Sequence, residues 1–185
     1  MMPSIEVRLK TMAKAMAEVI LPAIAPEHSL AREQAQLMIA QLGMVAKHWP
    51  RAAEYDALGL REIAALAERL CAVATGGPET RAAAEALEAL LRERKKRPAG
   101  AVDDERAAIA SAIDRLVRAS GIDGDEAFDQ ASSQAILEYS ALEAWRARIW
   151  FSGCGLDPER ARLPEEIDDI LANTTNTARR ERKTP

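Results

Sequence analysis

Apolar side chains in this chain recur every three or four residues, in one segment after another, and proline or glycine closes nearly every such run. This spacing gives each segment one apolar stripe of a helix and leaves no alternation of period two from which to build a strand. A chain of this kind folds by packing helical stripes against one another. Its composition points the same way. There are 38 alanines, Val and Ile together number only 18, and aromatics are 4%, a mixture that favours closely packed helices over a sheet. With 185 residues such a chain buries roughly 70% of its unfolded surface and needs no metal or disulfide to fold. The expected fold class is all-α: a single-domain antiparallel bundle of five or six main helices plus short C-terminal helices over residues 1–172, followed by a polar, frayed tail over 173–185.

The first helix is expected from Ser4, which can cap it, to Leu21, with Ile5, Leu9, Met12, Met16, Val19 and Ile20 on one stripe and Pro22 and Pro26 ending it. The second, Glu27 to Trp49, has an apolar arc covering over half its circumference, which predicts burial on two sides. Pro50 opens a short helix to Ala57, and Leu58-Gly59-Leu60 reads as a break before a helix from Arg61 to Ala74. Thr75-Gly76-Gly77-Pro78 is a turn, and Pro78 starts a helix that ends in the charged run Arg92 to Arg97. Asp103, Asp104 and Glu105 open the next helix, as the macrodipole favours, and it stops at Gly121. Asp123-Gly124-Asp125 opens the longest helix, to about Ser152, with short helices after Asp157 and Pro164.

Several chemistries are excluded. Two cysteines 83 positions apart make neither a disulfide scaffold nor a four-thiolate zinc site. The two histidines, His28 and His48, lack the Glu-x-x-His spacing of a di-iron bundle. There is no Gly-rich phosphate loop and no nucleophile elbow. The acidic pairs Glu165, Glu166, Asp168, Asp169 and Glu85, Glu88 read as helix-start and surface acids rather than a magnesium site, and Cys154 as a small bland residue. No catalytic residue, metal or cofactor is expected. The stretch Val19 to Ala25 is too short for a signal peptide, contains Pro22 and follows Glu18, and no apolar run approaches the roughly 20 residues that span a bilayer. The chain therefore reads as cytoplasmic, without a membrane partner. Net charge is −4. The basic run Arg92, Arg94, Lys95, Lys96, Arg97 reads as a helix C-terminus rather than a nucleic-acid contact.

Two features go beyond a plain bundle. Gln34, Gln41 and His48 recur at seven-residue spacing inside the apolar arc of the second helix, flanked by Leu30, Leu37 and Met44 on one side and Met38 and Val45 on the other. Buried amides and imidazoles need partners, which points to an inter-helix network, a homodimer seam or a ligand. On the long helix, Phe128, Ala131, Ala135, Tyr139, Leu142, Trp145 and Ile149 form one stripe, and Ile136, Glu143, Ala147 and Trp150 a second. Glu143 and Arg146 are placed to pair, and Trp145 and Trp150, about 140° apart, predict one exposed indole.

The segment Val19-Ile20-Leu21-Pro22-Ala23-Ile24 through Ala31-Arg32-Glu33-Gln34-Ala35 resembles a group of small bacterial all-α proteins of unknown function, encoded near acyl-CoA dehydrogenase and aminoglycoside-phosphotransferase-like genes. The resemblance covers about the first fifty residues and implies an accessory or binding role near acyl-thioester metabolism. Together these readings predict a non-enzymatic interaction or accessory protein acting as a homodimer, with an unknown protein partner. The alternative is a binder of a small acyl or other apolar molecule. Its pocket would lie between helices 27–49 and 125–152, lined by Gln34, Gln41, His48, Trp49, Tyr139, Glu143, Trp145 and Arg146.

Overall fold

The computed structural model describes residues 3–96, 101–152, 157, 159, 163 and 167–171. Among these residues the regular elements are helices and helical turns, and the fold is all-α, as the periodicity requires. The six main helices are α1 (Ile5–Ala15), α2 (Ser29–His48), α3 (Ala52–Val73), α4 (Pro78–Lys96), α5 (Val102–Asp123) and α6 (Glu126–Phe151). They sort into two compact units, one of residues 1–53 and 145–185, the other of residues 54–144. The expected features at Cys154, Glu165 and Glu166, and the tail 173–185, lie outside the described residues.

In the first unit, the Ser4 hydroxyl caps α1 by accepting from the Val7 N–H at 3.3 Å. Beyond Ala15 the chain continues as a π-helical turn, Met16–Ile20, and then a single turn, Leu21–Ala23. Pro22 supplies the reason. It has no N–H to give to Glu18, and its ring crowds that carbonyl. The chain widens just before it, and the Leu21 N–H reaches back five residues to the Met16 carbonyl. Arg32 then clamps this end. Its Nη1 donates to the carbonyls of Leu21 (3.3 Å) and Ile24 (2.8 Å), adding a charged donor at a helix end where the Leu21 carbonyl otherwise accepts the Ile24 N–H at 3.3 Å.

In the second unit, α3, α4, α5 and α6 share one core. It comprises Ile63, Leu66 and Leu70 from α3, Leu87 and Leu91 from α4, Ile109, Ile113 and Leu116 from α5, and Phe128 and Ala135 from α6. The break expected at Leu58-Gly59-Leu60 does not form. α3 runs unbroken from Ala52 to Val73, and all three residues are buried. Gly59 serves packing instead of a turn: a Cβ there would stand 3.3 Å from Cζ of Arg106.

The turn before α4 and the turn after α5 are clasped together. Gly76 has φ +144°, which side chains rarely adopt, and makes an isolated bridge with Gly124. The Gly77 N–H donates to the Asp123 carbonyl at 2.7 Å. The Asp123 carboxylate accepts from the N–H groups of Glu79 (2.8 Å) and Thr80 (2.9 Å) and from the Thr80 hydroxyl (2.7 Å). It therefore caps α4 from 43 residues away, in the space that a Gly77 side chain would fill. Asp125 caps α6 in the ordinary local way, through the Phe128 N–H at 2.9 Å, and accepts from Thr75 at 2.9 Å.

The Thr80 hydroxyl, the two backbone N–H groups and Arg81 hold the Asp123 carboxyl below its ordinary range against a smaller opposing effect of burial. The stabilisation from this bond is complete above the ordinary carboxylate value near pH 4 and is lost as pH falls through the depressed native value. We expect Asp123→Asn to lower the thermal midpoint at neutral pH and to flatten this part of the acid-unfolding curve, as read by circular dichroism. Gly77→Ala, which displaces the same carboxylate, should add little to Asp123→Ala in a double-mutant cycle. Arg32→Met should destabilise the protein by about 1–3 kcal/mol in urea unfolding, since two carbonyls lose a charged donor.

Candidate functional site

The N-terminal helices carry an apolar surface that the chain leaves open. α1 has no fully buried residue, although its stripe reads as a core face. On α2 only Ala35, Met44, Ala46 and His48 are buried. Of the fifteen exposed large apolar side chains among the described residues, nine fall between Ile5 and Trp49. The expectation that α2 is buried on two sides is thus corrected. Its wide apolar arc is genuine, but much of it faces outward in the single chain. Leu30, Gln34, Met38, Gln41 and Val45 are all exposed, and at 100° per residue they occupy one strip about 80° wide.

Beside this strip lies an apolar groove of about 460 Å³. Leu9, Met12, Met16 and Ile20 of the first helical segment form one wall, and Met38 and Val45 of α2 belong to the other. Gln41 is the polar residue of its lining. Three methionines in the walls make them adaptable in shape.

The polar column expected within the buried arc is divided. Gln34 and Gln41 are exposed, and His48 is buried, 3% accessible. The His48 ring packs on the Trp150 ring with centroids 4.8 Å apart at 48°. Trp49, beside it, is about half exposed. Trp145 and Trp150 are both half-buried, so the exposed indole is Trp49, not one of the long helix's pair. Arg146 is buried, 2% accessible.

Glu143 does not pair with Arg146 across one helical turn. It faces Arg106 of α5, with 3.0 Å between Nη2 and Oε1. Tyr139 lies beside both, and its phenol ionisation is pushed up, first by burial and then by the Glu143 charge. Tyr139 and Glu143 belong to the second unit, whereas Gln34, Gln41, His48, Trp49, Trp145 and Arg146 belong to the first. Arg106 is the member that sequence reasoning missed. Its signal was Gly59, whose bare backbone admits the guanidinium.

Several charges elsewhere are paired. In the basic run, Arg92 pairs with Glu88 (3.3 Å), Arg94 with Glu105 (3.1 Å), Lys95 with Glu68 (2.8 Å) and Lys96 with Glu93 (2.9 Å). Arg97 lies outside the described residues. Arg148 holds Asp157 through two bonds of 2.8 and 3.0 Å and Glu159 at 3.2 Å. That grip is the main cause of the lowered Asp157 carboxyl and of a guanidinium raised still further. Asp168 faces Arg51 at 2.9 Å. Among the described residues no group of three or more His, Cys, Asp or Glu is placed to hold a metal ion. Burial, followed by the Glu88 and Glu68 charges, pushes the Cys71 thiol up, which keeps it protonated. No helix among the described residues is long and apolar enough to cross a membrane.

No protein-family model, curated protein or solved structure matches the chain.

The Arg106–Glu143 pair is partly solvated, with side chains 30% and 38% exposed, so Glu143→Gln should cost less than about 1 kcal/mol. Gly59→Leu, which drives a side chain into the guanidinium, should cost about 1–3 kcal/mol. Urea unfolding of the two variants distinguishes a packing role for Gly59 from a purely electrostatic one for Arg106.

Proposed function

We propose that this is a non-enzymatic interaction protein that acts as a homodimer, in the cytoplasm, through its N-terminal helices. The observation that carries the reading is the concentration of exposed large apolar side chains between Ile5 and Trp49. Isolated apolar residues are ordinary on a protein surface, but a contiguous apolar face on two adjoining helices is the mark of an association surface. A binding role is supported by Glu143, Asp157 and Asp168, whose carboxylates are engaged by arginines of the same chain.

A second reading rests on the groove itself. At about 460 Å³, with an almost wholly apolar lining, it matches the size and character of a small-molecule site. An acyl chain or similar apolar molecule would lie between the first helical segment and α2, a different place from the pocket expected between helices 27–49 and 125–152.

Light scattering over a range of micromolar concentrations should give twice the chain mass of 20.2 kDa. Met38→Asp, at an exposed position, should return the protein to monomer with its helical circular dichroism intact. A monomer at every concentration would refute the dimer. In that case, saturable enhancement of an alkyl-chain fluorophore by the wild type, abolished by Met38→Asp, would carry the second reading.

A further inference from the structure

Resting on the homodimer reading, we infer that the partner seated on this face is the α2 helix of a second copy, running parallel and in register, with Gln34 and Gln41 each meeting its own twin.

The exposed strip of α2 has the layout of a coiled-coil seam. Ala31, Met38 and Val45 fall at one heptad position, and Gln34 and Gln41 at the other, each set spaced by seven residues. All five are exposed in the single chain. The next position in the second set is His48, which is buried. The open seam therefore spans Ala31 to Val45, about 22 Å of helix.

The amides decide both the occupant and its direction. A carboxamide both donates and accepts, so it is complementary to itself. In a parallel pair related by a two-fold axis, each layer meets its own kind: Ala31 on Ala31, Gln34 on Gln34, Met38 on Met38, Gln41 on Gln41, Val45 on Val45. Every amide then finds an amide, and every apolar residue an apolar one. An antiparallel pair sets Gln34 against Val45 and Gln41 against Met38, leaving amides in apolar layers without partners. The parallel arrangement is the one that satisfies both.

Charge agrees with a second copy. From Ile5 to Trp49 there are five basic and four acidic side chains, so two copies of this segment repel little, and the segment has no strong charge with which to attract an anion. Surface area agrees as well. The exposed fractions of Met12, Ile20, Leu30, Met38 and Val45 amount to on the order of 500 Å² of apolar surface per copy, the larger part of the roughly 800 Å² per partner in a standard interface. Because Met38, Gln41 and Val45 also line the groove with Met12 and Ile20, the incoming helix packs against two helices rather than one.

The test is cross-linking of the full chain with Cys71 and Cys154 replaced by serine. Gln34→Cys in this background should form a disulfide-linked dimer under mild oxidation. Gln36→Cys, on the opposite side of α2, should not. Gln41→Asp, which sets two carboxylates in one layer, should raise the dimer dissociation constant at least tenfold at neutral pH and lose most of that effect when acid protonates them. All three positions are exposed in the single chain, so the fold survives and circular dichroism checks that it does. A dimer in which Gln34→Cys cross-links no faster than Gln36→Cys overturns the seam and leaves the homodimer standing. A wild-type protein that is monomeric at all concentrations overturns both.

Discussion

The second unit depends on one carboxylate that caps a helix it does not belong to. A helix beginning Gly77-Pro78 has no side chain of its own with which to satisfy its first N–H groups. Asp123, at the end of α5, supplies the oxygen atoms instead, and the bare backbone of Gly77 leaves room for them. This contact ties the turn before α4 to the turn after α5 and so sets where both helices begin and end. The shared core of Leu70, Leu87, Leu116 and Phe128 then packs from helices whose ends are already positioned. Hydrophobic burial supplies most of the stabilisation, but it is non-directional, and the cap contributes the direction.

The first unit shows what happens when such closure is incomplete. α1 and α2 adjoin and are clamped at one end by Arg32, yet α1 buries no side chain fully and α2 buries chiefly small or polar ones. Two helices, one of them apolar over more than half its circumference, can shield one another only in part. The apolar remainder forms the strip and groove on which the functional proposal stands. In the proposed dimer a second copy would cover this surplus by the same physics that closes the second unit: apolar layers bury, and each polar group meets a partner.

Much of the fold was legible in advance. The helical spacing of Phe128, Ala135 and Ile149 points to buried positions, and all three are buried; the Gly-Gly-Pro and Asp-Gly-Asp signals locate both turns. The errors share a cause. Leu58-Gly59-Leu60 reads as a break because glycine is a local signal in sequence, whereas here its role is to admit Arg106 from another helix. Spacing pairs Glu143 with Arg146 because the two are neighbours on one helix, whereas its partner, Arg106, is 37 residues away. Asp123 reads as the start of the helix that follows it but caps one that precedes it. Each true partner is remote in sequence, and periodicity describes one helix at a time.

The candidate site divides along the same line. Sequence alone determined that α2 carries amides at heptad spacing beside apolar positions, since spacing along a helix is a property of the helix. It also determined the all-α class and the absence of the familiar catalytic motifs. Tertiary structure decided which side of α2 faces outward, that Gln34 and Gln41 are exposed while His48 is buried on Trp150, and that the groove beside them has α1 as its other wall. An amphipathic pattern says that a face must be covered; only the placement of neighbouring helices says which part of it has been.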